Sequence, residues 1–145
     1  SNVADQLKAI DRIVVPIAPA VVAYYCGDND ITSATSDPQV PVDGFKAWVQ
    51  RLHAALPGTH VLYLSIKPSP KRKAAWPQAQ EANRLIKAYC ESDPRLTFVD
   101  LGTCLLTEDG EMRPELYKED QLHLQPAGYA EWTKVVKPVL DRLAH

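Results

Sequence analysis

The chain has 145 residues, 46% hydrophobic and 23% charged, with a formal net charge of -2. That length and balance suit one globular domain over residues 1–145 with a real core, and they exclude a disordered chain. They offer no basic field to attract nucleic acid, and the longest apolar stretch, Ile13 to Cys26, is broken by Pro16 and Pro19 and is too short to span a bilayer.

Val3, Leu7, Ile10 and Val14 recur at helical spacing behind Ser1 or Asn2 as a cap, which predicts a first helix. The opening residues carry neither a charged nor an apolar leader region, and no residue assigns a compartment. Ala20 to Tyr25 is a short continuous apolar run, predicted to be a strand buried on both faces and ended by Gly27. Ile31 to Pro41 is polar and predicted to be a loop. Val42, Phe45, Val49, Leu52 and Leu56 mark an amphipathic helix, stopped by Pro57-Gly58. Val61 to Ile66 is a second strand, ended by Lys67-Pro68-Ser69-Pro70. A third helix runs through Ala79, Ala82, Leu85, Ile86 and Tyr89, with Pro77 in its first turn. Leu96 to Asp100 is a third strand. After a loop with the turn signal Asp109-Gly110, a last helix runs from Pro126 through Tyr129, Trp132, Val136, Val139 and Leu143. Pro138 is expected to kink or interrupt it.

Strands alternating with helices imply right-handed crossovers and a parallel sheet covered on both faces, an α/β fold. In such sheets chemistry collects at the loops beyond the strands' carboxyl ends. Those loops are Gly27 to Pro41, Lys67 to Trp76 and Leu101 to His123. The three cysteines, Cys26, Cys90 and Cys104, have no metal or disulfide spacing and are expected to be buried thiols.

Two signals fall in these loops. Gly27-Asp28-Asn29-Asp30 leaves the first strand, where glycine permits a sharp turn and an asparagine amide can donate into the cleft; alone, it also reads as an ordinary Asx-turn. Asp120-Gln121-Leu122-His123-Leu124 precedes the last helix. Its three-residue spacing lets a carboxylate hold one imidazole nitrogen and leave the other free as a base; alone, it also reads as a salt-bridged or capping pair.

Together, and in this order, they resemble the SGNH hydrolases, also called GDSL-type esterases and lipases. GDND resembles that family's GxND block, DQLHL its DxxHL block, and Gln125-Pro126-Ala127-Gly128-Tyr129 the usual continuation. The resemblance implies a three-layer α/β/α fold of flavodoxin-like order and serine-dependent hydrolysis of a small-molecule carboxylic ester without metal or organic cofactor. It implies Asn29 as an oxyanion-hole donor, His123 as general base and Asp120 as its orienting carboxylate, with Gly27, Asp28 and Asp30 supporting the loop. Lys67, Ser69 and Trp76 are candidates to line the substrate. The run Lys67, Lys71 and Arg72 also reads as a solvated loop.

The family's GDS block, with the nucleophilic serine, and its second block, with an oxyanion-hole glycine, are absent from these residues. Ser1 to Asp5 resembles the stretch immediately after that glycine. Ser33, Ser36, Ser69 and Cys26 lack a nucleophile elbow and read as turn or packing residues, so no nucleophile and no metal site is assigned. Two rivals remain: a non-catalytic relative that binds a ligand or carbohydrate, and a metal-dependent hydrolase using Asp28, Asp30, Asp120 and His123. In the family, the strands bearing the first two blocks lie beside the one preceding GxND. Ala20 to Tyr25 is therefore expected to pair on both edges. One partner would be Val61 to Ile66, the other backbone from outside this sequence: an N-terminal segment or a second chain. Asn29 and His123 are expected at one cleft.

Overall fold

Strand and helix alternate along the computed structural model, which describes residues 20–25 and 30–143. β1 (Val21–Tyr24), β2 (His60–Leu64) and β3 (Leu96–Val99) form a parallel sheet in the order β1-β2-β3. The register places Val22 beside Val61 and Val61 beside Leu96. The helices are α1 (Gln39–Ala55), α2 (Trp76–Glu91) and α3 (Pro126–Leu143). Parallel strands cannot be joined by a tight turn, so α1 and α2 serve as the crossovers.

The apolar stripe of α1, Val42, Phe45, Trp48, Val49 and Leu52, is buried against Tyr24 and Tyr63 of the sheet. Ala79, Ala82, Ile86 and Cys90 of α2 complete that layer. Pro77 sits in the first turn of α2, where no intrahelical amide is lost. On the opposite face Leu62, Val99 and Leu101 meet Trp132, Val135, Val136 and Val139 of α3. The result is a three-layer α/β/α sandwich. Burial pushes the Cys90 thiol up to about 12, so it stays an uncharged packing group, and Cys104 is half-buried. Cys26 lies outside the described residues.

Two expectations need correction. β1 is not buried on both faces: Tyr24 is buried, but Ala23 on the α3 side is exposed, while Tyr25 just beyond it packs edge-on against Trp132 of α3, ring centroids 5.4 Å apart. Pro138 does not interrupt α3, which is assigned without a break through Leu143. Pro138 and Lys134 are both exposed, so water can take the place of the missing amide at the Lys134 carbonyl. Tyr129 of α3 is 50% exposed, and its ring packs edge-on against Trp132.

β1 pairs with β2 as expected. Among the described residues the sheet ends at β1; the expected Ile31 to Pro41 loop stops at Pro38, where α1 begins, and adds no strand to the sheet. The predicted N-terminal helix lies outside the described residues. No helix among the described residues is long and apolar enough to cross a membrane.

Candidate active site

The Asp120–His123 segment is built as a narrow two-sided loop. Tyr117 and Leu124 form an antiparallel bridge, and the Lys118 amide donates to the His123 carbonyl at 2.7 Å. Gln121 closes the turn with a φ of 55°, left-handed backbone that costs a side-chain-bearing residue about 1 kcal/mol. Its own groups offset that cost: the backbone amide and the Nε2 amide both donate to the Lys118 carbonyl, at 2.8 and 3.0 Å.

This turn aims the Asp120 carboxylate back over its own chain. Oδ1 accepts the amides of Leu122 at 2.9 Å and His123 at 3.0 Å, while Oδ2 accepts from His123 Nδ1 at 2.6 Å. The imidazole bond first, and the two amides after it, hold the Asp120 carboxyl well below the usual carboxylate range. An ionised carboxylate can only accept, so Nδ1 carries the proton and Nε2 of the neutral ring is left as the basic nitrogen. The His123 side chain is 65% exposed, so the ring opens outward rather than into the core.

Neighbouring elements hold the loop. Leu105, Leu116, Tyr117 and Leu124 form a small core beneath it. The Tyr117 hydroxyl donates to the Pro68 carbonyl, and the Lys71 amide donates to the Gln121 carbonyl at 2.9 Å. The loop after β2 is thereby bonded to the turn that carries the Asp-His pair. Gly128, in the first turn of α3, is the tightest point. A Cβ there would lie 2.7 Å from the Leu116 carbonyl oxygen and 2.8 Å from Leu124 Cδ2. Gly128→Ala is expected to destabilise the protein by about 1–3 kcal/mol through overpacking against backbone. Urea unfolding of the variant measures this, and a loss below about 0.5 kcal/mol would show that the loop yields freely.

The other predicted residues divide. Gly27, Asp28 and Asn29 lie outside the described residues. Asp30 is half-buried; its Oδ2 is buried with no hydrogen-bond partner among the described residues, and burial raises its carboxyl pKa. Ser69 is buried at 3% exposure, beside Lys67 and Ile31 in a shallow depression that Trp76 also lines. Trp76 continues into a larger groove of about 470 Å³ toward the exit of β3. Ser36 Oγ accepts the Thr32 and Ser33 amides, both at 3.1 Å, in keeping with the turn reading of these serines. At the other end of the sheet His53 and His60 are half-buried: Nε2 of each lies within hydrogen-bond distance of an oxygen, Thr59 O at 2.8 Å and Thr97 Oγ1 at 2.7 Å.

Sequence reasoning missed Tyr117 and the role of Gly128. The glycine stands in the Gln125 to Tyr129 run, but nothing local announces the carbonyl that approaches it.

The family model described as GDSL-like Lipase/Acylhydrolase matches residues 1–131. Comparison with curated proteins finds no match. Among solved structures, a GDSL-like lipase from Bacteroides thetaiotaomicron is 20% identical with a TM-score of 0.80, over 98% of this chain and 72% of that one. A carbohydrate esterase family 3 structure from Talaromyces cellulolyticus is 16% identical with a TM-score of 0.81, over 99% and 68%. A catalytic mutant of an acetylxylan esterase from Geobacillus stearothermophilus is 13% identical with a TM-score of 0.76, over 95% and 67%. At these identities the likeness is one of fold.

Proposed function

Since this chain belongs to the GDSL-like lipase/acylhydrolase family, we propose that it carries the base half of a serine ester hydrolase site. The observation behind this reading is the Asp120 carboxylate, with one oxygen saturated by two backbone amides and the other bonded to His123 Nδ1 at 2.6 Å. That arrangement sets the tautomer and leaves Nε2 free to accept a proton.

In the proposed reaction a serine hydroxyl attacks the ester carbonyl while His123 Nε2 takes its proton. The collapsing tetrahedral intermediate expels the alcohol, which receives that proton. Water then attacks the acyl-enzyme by the same route and releases the carboxylic acid. Asn29 donates its amide to the oxyanion, an interaction worth roughly two to three orders of magnitude in rate. No residue of this sequence is assigned as the nucleophile, so the serine comes from outside it, either from an N-terminal segment or from a second chain along the β1 edge.

Hydrolysis of para-nitrophenyl acetate by the full-length protein tests the reading. Turnover that is abolished by a serine-directed fluorophosphonate supports it. A protein that neither turns over nor takes up the label refutes it and favours the second reading, a non-catalytic relative that binds a ligand or carbohydrate in the same cleft.

A further inference from the structure

The groove of about 470 Å³ lies between α2 and the turn beyond β3. Trp76 and Phe98 give it aromatic lining, Gln80 and Lys87 project from one face of α2 at i and i+7, and Thr103 stands across from them. The two strongest charges nearby are already engaged. Arg84 is held by both oxygens of Glu81, at 2.9 and 2.6 Å. Asp100 accepts the amides of Gly102 and Thr103 and the Thr103 hydroxyl. The side chains of Trp76, Gln80 and Lys87 hydrogen-bond no other described residue. The groove therefore offers aromatic surface together with an unused indole N–H, an unused amide and one ammonium.

That combination selects among ligands. A fatty chain would cover the free donors and leave them unpaired, at a desolvation penalty. A phosphate would meet a single uncompensated cation on an exposed stem. An uncharged ring bearing hydroxyls suits both features, its C–H face on the aromatic surface and its oxygens on the donors. We propose that this groove is a subsite for a sugar residue. Trp76 lines both this groove and the depression that holds Ser69 and Arg72, and it follows the segment whose Lys71 amide donates to the Gln121 carbonyl. Calling that sugar the alcohol part of an ester substrate rests on the hydrolase reading; the binding itself does not.

Calorimetric titration of the full-length protein with unacetylated xylohexaose measures the subsite without catalysis. The expected result is one saturable heat in the roughly micromolar-to-millimolar range. Gln80→Ala combined with Lys87→Ala should weaken it about five-fold or more, since each lost hydrogen bond is worth about 1 kcal/mol. Both positions are exposed, and circular dichroism checks that the fold is kept. No saturable heat, or binding untouched by the double variant, overturns the subsite. Xylohexaose binding that depends on Gln80 and Lys87, in a protein that cleaves no ester, keeps the subsite and refutes the hydrolase reading.

Discussion

His123→Ala in the full-length protein is expected to lower kcat/KM for ester hydrolysis by roughly two to four orders of magnitude, the usual contribution of a positioned general base. The side chain is 65% exposed and belongs to none of the buried clusters, so the variant should fold with an unchanged urea midpoint. Asp120→Asn should come close to the same loss for a different reason. An amide at this position can still accept the Leu122 and His123 backbone amides through its oxygen. It then presents an N–H donor to His123 Nδ1, which drives the ring proton onto Nε2 and removes the base. Retention of more than about a tenth of the activity in His123→Ala would sink the assignment of this imidazole.

Phe45→Ala should produce the largest loss of stability, about 3–5 kcal/mol. Phe45 is fully buried in α1, with its ring centroid 4.9 Å from Tyr24, 4.8 Å from Tyr63 and 6.0 Å from Tyr89. Its removal opens a void between α1, α2 and the sheet, where rigid aromatic neighbours cannot collapse to fill the space. In urea this corresponds to a midpoint lower by roughly 1.5–3 M. Phe45→Leu, which keeps most of the volume, should cost under about 1.5 kcal/mol. Equal effects of the two substitutions would mean that ring shape, rather than filled volume, holds this layer together.

Features that depend on residues close along the chain were legible from the amino-acid order. The stripe Val42, Phe45, Val49 and Leu52 repeats with the helical period, so α1 and its buried face were legible, as were the apolar runs of β2 and β3. The Asp120–His123 bond was legible for the same reason, because three residues fit within one turn and carry both partners. Tertiary structure alone decided which distant groups come together. Nothing near Gly128 in sequence foretells that the Leu116 carbonyl will sit where its Cβ would be, or that the Tyr117 hydroxyl will reach Pro68. Ala23 read as buried because its neighbours are apolar, yet burial belongs to a position in the sheet, and Ala23 is exposed. The sugar groove joins α2 to the turn after β3, and its free donors emerged only after Glu81 and Thr103 had claimed the neighbouring charges. Periodicity reports which face of an element is apolar; the partner that meets that face depends on packing across the layers, which residue spacing does not encode.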